Sequence, residues 1–206
     1  LKNGPLDKTN QFKELEDFIV PPGGWERERS DFSKYLSSRK NIPTELNVYS
    51  IRTRSFRSII IVPDDTWSES TKKGCLGANV RYENWAIAHK NVLRIVDIKP
   101  FSELSKLDVI KNDDFIVAIR KKDCEIISLN QEEKDPLSYF SDIISALIGN
   151  NVELILYNVN NGFKSVEINL TKKENGQILG CDLAYGQLHE FPQVITYLNT
   201  NSNNLS

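Results

Sequence analysis

Cysteine and histidine are scarce in this chain of 206 residues, with three of the first and two of the second. Cys75, Cys124 and Cys181 form no close pair, which excludes a dense disulfide framework and fits reduced thiols in the cytosol. They read as small buried hydrophobes rather than reactive or ligating groups. His89 and His189 lie in separate linkers with no cysteine or carboxylate at ligand spacing, so no metal is assigned. A Gly-rich phosphate loop and a Ser-His-Asp arrangement are also missing, so neither a cofactor nor an enzymatic activity is expected. Asp113-Asp114 and Asp64-Asp65 are paired carboxylates, but each pair sits beside a strand or turn without a partner base. Charge of one sign is lacking too. A formal net charge of −2 gives no global field for nucleic acid or an anionic membrane. No uncharged apolar run reaches the roughly 18 residues of a spanning helix, and the start lacks the pattern of a secretory signal. Leu1 is not a natural start, and a cytosolic, soluble chain is expected.

What the sequence does contain is itself, twice. Asp17-Phe18-Ile19-Val20 recurs as Asp114-Phe115-Ile116-Val117. Phe32-Ser33 and Leu36-Ser37 answer to Phe140-Ser141 and Ile144-Ser145, and Glu45-Leu46 with Tyr49 to Glu153-Leu154 with Tyr157. Phe56-Arg57-Ser58-Ile59 matches Phe163-Lys164-Ser165-Val166, and Leu76-Gly77 matches Leu179-Gly180. Ordered matches with a slowly drifting offset are those of a duplicated module with altered loops, each copy about a hundred residues long. The expected division is 1–88 for the first module, 89–195 for the second and 196–206 for a polar tail.

The pattern within each copy is α+β and mostly β. In the first, a short strand at 17–20 is cut by Pro21-Pro22-Gly23-Gly24, a helix opens at Ser30-Asp31, and strands at 45–49 and 56–62 form a hairpin. A last strand is expected at 78–82. The second copy adds an opening strand at 92–96, a short helix after Pro100 and a strand beginning at Cys124. Its long helix starts at Pro136 and carries a broad apolar stripe ended by Gly149. Strands at 152–157 and 163–170 meet across Asn160-Asn161-Gly162, and 179–185 is the last strand. The basic run Arg120-Lys121-Lys122 reads as a solvated hairpin tip. The first copy lacks the opening strand and the Cys124 strand, so either that module is degenerate or residues are missing before Leu1 and near Pro21, and the second is expected.

This order of motifs resembles the Golgi reassembly and stacking proteins, the GRASP family. The likeness rests on Asn91-Val92-Leu93-Arg94-Ile95, Asp114-Phe115-Ile116-Val117, Leu154-Ile155-Leu156-Tyr157-Asn158 and Leu179-Gly180-Cys181, then Tyr185-Gly186 and Leu188-His189-Glu190-Phe191-Pro192. In the first copy it rests on Val48-Tyr49-Ser50, Pro63, Trp67 and Leu76-Gly77-Ala78-Asn79-Val80-Arg81-Tyr82. The resemblance implies two tandem, circularly permuted PDZ-like modules. The family's Trp-Gly-Gly segment stands here as Trp67-Ser68-Glu69, and the second copy has no tryptophan there. The family's myristoylated glycine is not in this chain, so membrane attachment would need an anchor outside it. Some members place a zinc-ligating cysteine just after the first module's last strand; Tyr82-Glu83-Asn84-Trp85 has none, and no metal follows from the resemblance.

A PDZ-like groove takes a peptide as an added strand between a long helix and the strand that follows a Leu-Gly turn. In the first module the resemblance assigns Cys75, Leu76, Gly77 and Ala78 to the turn, Val80 to the groove, and Tyr35, Leu36 and Arg39 to the helix wall. In the second it assigns Ile178, Leu179, Gly180, Cys181 and Leu183, with Ile143, Ile144 and Leu147 opposite. Self-association is expected through His189, Glu190, Phe191, Pro192 and Gln193, docking into the first groove of another molecule. The implied function is a non-catalytic scaffold on the cytoplasmic face of the Golgi or early secretory membranes. It would bind golgin-type C-terminal peptides and tether membranes. The alternative reading is a tandem PDZ regulatory region of a protease.

Overall fold

The two Asp-Phe-Ile-Val motifs open equivalent strands because each aspartate closes the turn before it. Residues 1, 3–20, 29–67, 74–122, 125–131, 134–158, 160–172 and 178–193 are described in the computed structural model of the chain. Asp17 Oδ2 accepts the Lys13 amide at 2.7 Å, and Asp114 Oδ2 accepts the Ile110 amide at 2.7 Å. The return bonds, Asp17 N to Lys13 O and Asp114 N to Ile110 O, are both 3.0 Å. Each turn holds a residue at positive φ, Leu15 at 64° and Asn112 at 68°. Both carboxylates are fully buried and each meets one cation. Arg57 reaches Asp17 with two nitrogens and the Gln11 carbonyl as well; Lys164 lies 2.9 Å from Asp114 and donates to the Asp108 carbonyl. Lysine supplies a point charge rather than a fork, and the second copy adds Asn158 Nδ2 on the other carboxylate oxygen. The paired-carboxylate motif at Asp113-Asp114 is thus structural.

Nine strands and three α-helices are present among the described residues. The first half holds α1 (Pro5–Thr9), β1 (Asp17–Val20), α2 (Arg29–Ser38), β2 (Thr44–Ser50) and β3 (Ser55–Ile61). The strands form an antiparallel sheet in the order β1-β2-β3. The second half holds β4 (Leu93–Ile98), a 3-10 turn at Leu104–Lys106, β5 (Asp114–Arg120) and β6 (Ile126–Ser128). It continues with α3 (Pro136–Ala146), β7 (Asn151–Asn158), β8 (Gly162–Asn169), β9 (Cys181–Ala184) and a 3-10 turn at Gln187–His189. Its sheet runs β8-β7-β5-β4-β9, with β6 also on β5. The β1-β2-β3 order of the first sheet repeats as β5-β7-β8 in the second. The long helices end alike. Asn41 (φ 61°) donates to Pro63 O at 2.8 Å, and Gly149 (φ 90°) to Leu170 O at 2.7 Å. Asp135 caps α3 by accepting the Ser138 amide, and Pro136 occupies the first turn as expected.

The sequence places a strand at 78–82, and the structure does not. Residues 79–84 carry no regular secondary structure and join no ladder. The physical reason is the missing neighbour. In the second half β9 exists by pairing with β4, and Lys99 N bonds Gly180 O just beyond that pair. In the first half the matching bond is made by the amino group of Leu1 to Gly77 O at 2.7 Å, and no strand pairs beside that turn among the described residues. Arg120 also departs from the expected solvated tip: it lies in β5 and pairs with Glu153 at 2.7 Å. The Pro21–Gly24 break, Cys124, Ser68, Glu69 and the tail at 196–206 lie outside the described residues.

Two apolar clusters fill the halves. Leu36, Leu46, Val48, Ile59, Ile61 and Leu76 form the first, and the β5–β7 face closes on α3 through Ile116, Leu154, Phe140 and Ile144 in the second. A third cluster joins them. Tyr49 and Ile51 from the first half meet Phe115, Tyr157 and Phe191 from the second, with Ala88 and Val92 between.

Candidate functional site

The candidate groove of the second half lies between β9 and α3. Gly180 occupies φ 70°, and a Cβ there would overlap the Ser102 side chain, so only glycine fits this turn. Gly77 repeats the geometry at φ 70°, packed against the backbone of Gly4. Among the described residues β9 is the outermost strand of its sheet and pairs only with β4. Ile178, Cys181 and Leu183 are half-buried and pack on the same cluster as Tyr139 and Leu147 of the helix side. Ile143 and Ile144 are buried deeper, as members of that core. Leu179 is likewise buried, at 8% exposure, so it anchors the turn and does not line an open surface. Burial pushes the Cys181 thiol up to about 12, which leaves it a protonated, inert hydrophobe.

Two features of this site were not legible in the motifs. The Tyr185 hydroxyl hydrogen-bonds the Asp135 carboxylate, raising the tyrosine and holding the aspartate low. That contact ties the residue after β9 to the cap of α3 and so crosses one end of the candidate groove. Lys99 bridges Asp97 at 3.0 Å and Asp182 at 2.6 Å beside the Gly180 turn, and these bonds raise its own affinity for a proton. Neither carries a local signal, because both depend on which strands become neighbours.

In the first half, Cys75, Ala78 and Val80 are half-buried against the cluster that holds Phe32 and Tyr35. Leu36 and Leu76 are core residues, each 4% exposed, and Arg39 is exposed with its guanidinium 5.9 Å from the Tyr35 ring. A cavity of about 350 Å³ is lined by Tyr35, Arg39, Pro43, Thr44, Glu45 and Asn47. Val80 is not among its lining residues. Arg81 instead turns toward the second half, with its guanidinium on the Ile126 carbonyl and on Glu83, which accepts from Ser128 and Asn130.

The segment His189 to Gln193 lies along the seam between the halves. Phe191 is fully buried, its ring centroid 3.6 Å from that of Tyr157 and 6.2 Å from that of Phe115. Its amide donates to His89 O at 2.8 Å and its carbonyl accepts Arg54 Nη2 at 2.8 Å. Glu190 lies 3.8 Å from Arg54 and 3.7 Å from His89, and Gln193 Nε2 donates to Thr53 O at 3.2 Å. Pro192 is half-buried and His189 precedes the clasp in its 3-10 turn. Burial, reinforced by Arg54, holds the His89 imidazole below its ordinary value against the opposing pull of Glu190. No group of three or more histidine, cysteine, aspartate or glutamate side chains is arranged to hold a metal among the described residues. No helix there is long and apolar enough to cross a membrane.

The GRASP55/65 PDZ-like domain family matches residues 46–194, and those bounds begin within β2 and take in the seam and the described second half. Golgi reassembly-stacking protein 1 of Mus musculus is 26% identical over 180 residues, which cover 85% of this chain and 37% of that protein. The Homo sapiens protein of the same name is 26% identical over 180 residues, covering 85% of this chain and 38% of its own length. The chain thus spans less than two-fifths of the curated relatives it matches. With a mostly β fold and a Leu-Gly turn feeding an edge strand beside the long helix, the chain belongs to the GRASP55/65 PDZ-like domain family.

Proposed function

We propose that this chain is the peptide-binding and self-associating part of a non-catalytic scaffold on the cytoplasmic face of Golgi or early secretory membranes. Its modules, 1–88 and 89–195, are circularly permuted PDZ-like units, and the second carries the complete groove. The observation that carries this reading is the position of β9: an outermost strand after a glycine-only turn, sharing half-buried apolar side chains with α3. Such a strand offers unpaired main-chain groups to an incoming C-terminal peptide of the golgin type, while Leu183 and Leu147 read its side chains. Main-chain N–H groups at the Gly180 turn receive the terminal carboxylate. For the first groove, centred on Val80 and Tyr35, to receive the His189–Gln193 segment of a second copy, that segment must leave the seam of its own molecule, and the resulting head-to-tail contact propagates instead of closing. Weak contacts repeated on a membrane add to a firm tether, given an anchor outside this chain.

The test is calorimetric titration with a golgin C-terminal peptide, its amidated form and the Leu183→Glu variant. Leu183 serves better than Leu179, whose burial would confound lost binding with unfolding. Amidation and Leu183→Glu are each expected to weaken binding at least about tenfold. Equal affinity in all three titrations would refute the groove.

A further inference from the structure

Side chains alternate along β9. Cys181 and Leu183 turn inward onto the core shared with α3, and Asp182 between them faces solvent with 55% of its side chain exposed. In the ladder with β4, Asp182 stands opposite Asp97. Like charges in facing positions repel, and one ammonium answers both: Lys99, just past the end of β4, lies 3.0 Å from Asp97 and 2.6 Å from Asp182. Asp97 has a second cation, Lys111, at 3.9 Å, whereas Asp182 has Lys99 alone among the described residues and shares it. Because Lys99 bridges to Asp97, it lies on the β4 side of Asp182, and the other side is the open edge of β9. Beyond the other end of β9, Lys134 over the Tyr139 ring and Asp135 at the cap of α3 offset each other. The first half differs at this place. Asn79 follows Gly77 by two residues as Asp182 follows Gly180, and it carries no charge.

Given the groove reading above, on which it rests, we infer that Asp182 makes the second groove select peptides with lysine or arginine next to the C-terminal residue. The register follows from the pleat. A peptide added antiparallel to β9, with its carboxylate at the Gly180 turn, sets its last residue opposite Cys181 and its third-from-last opposite Leu183, both pointing inward. The penultimate residue then stands opposite Asp182 on the solvent face, where facing residues have Cβ atoms about 4.5–5.5 Å apart. A cation there extends the row of Asp97, Lys99 and Asp182 with the opposite charge and gives Asp182 a partner of its own. A carboxylate there sets a third like charge in the row. Asn79 exerts no such choice, so the two grooves of one chain take different peptides.

Calorimetric titration of the full chain with short synthetic peptides ending Leu-Lys-Leu, Leu-Ala-Leu and Leu-Glu-Leu tests the assignment. The lysine peptide is expected to bind about fivefold or more tighter than the glutamate peptide, with the alanine peptide between them. The gap is expected to narrow at about 1 M salt, where the Debye length falls to about 3 Å. Asp182→Lys is expected to invert the order and Asp182→Asn, which keeps the shape, to erase it, with circular dichroism showing each variant folded. Leu183→Glu leaves only the first groove, and its residual binding is expected to be indifferent to the penultimate residue. Equal affinity of the unsubstituted chain for all three peptides overturns the assignment, as does a lysine preference that survives Asp182→Lys. In both cases, binding that is lost with Leu183→Glu leaves the groove reading standing. Failure of every peptide to bind overturns the two together.

Discussion

Replacing Phe191 by alanine removes the side chain that fills the seam between the two halves. The ring is fully buried among Tyr157, Phe115 and Phe163, and both its backbone hydrogen bonds would survive the change. The loss is therefore one of packing. Truncating a buried phenylalanine costs about 3–5 kcal/mol, and the lower end applies where neighbours can relax into the space. A seam between two sheets is such a place, so about 3 kcal/mol is expected, equivalent to a fall of roughly 6–12 °C in Tm for a chain of this size. Urea and thermal unfolding followed by circular dichroism measure it. Leu188, three residues earlier and 86% exposed, is the control, and its alanine variant should stay within about 0.5 kcal/mol. A fall of less than about 2 °C for Phe191→Ala would refute the seated clasp, and with it the claim that the segment is held by its own molecule.

Other outcomes follow from the same geometry. Asp114→Ala strands Lys164 and Asn158 and should lower stability by about 3–5 kcal/mol; Asp17→Ala, which strands Arg57, should do so comparably if the two turns are true equivalents. His89 is held below its ordinary value near 6.5, so the unfolded chain binds its proton more readily than the folded one. Its contribution is present above pH ~6.5 and is lost as the pH falls below that value, and His89→Asn should flatten this part of a stability profile measured from pH 7.5 to 5.5 by about the same window. Cys181, with its thiol pushed up to about 12, should resist alkylation at mildly alkaline pH until the chain is unfolded, as peptide mapping would show.

Much of the fold was legible because local rules and tertiary needs agree. The Asn-Gly turn joins β7 and β8 as its chemistry demands, Pro136 opens α3, and the repeated Asp-Phe-Ile-Val marks equivalent strands, largely buried in β5 and half-buried past Asp17 in β1. The strand expected at 78–82 failed because sequence likeness to β9 says nothing about whether a ladder partner is at hand. The candidate groove was legible only in part. Glycine at 180 and the stripe on α3 carry local signals, whereas the burial of Leu76 and Leu179 in the cores depends on packing from distant elements. Phe191 is the clearest case. Its partner Arg54 lies 137 residues away, and a docking segment and an internal clasp look the same in sequence.

The most direct test of the account is an amide-resolved NMR titration of the full chain with a golgin C-terminal peptide. The groove reading predicts that the largest shifts fall on Gly180, Cys181 and Leu183 and on the Tyr139 and Leu147 side of α3, with the seam around Phe191 undisturbed. Shifts confined to other surfaces, or none at saturating peptide, would contradict it.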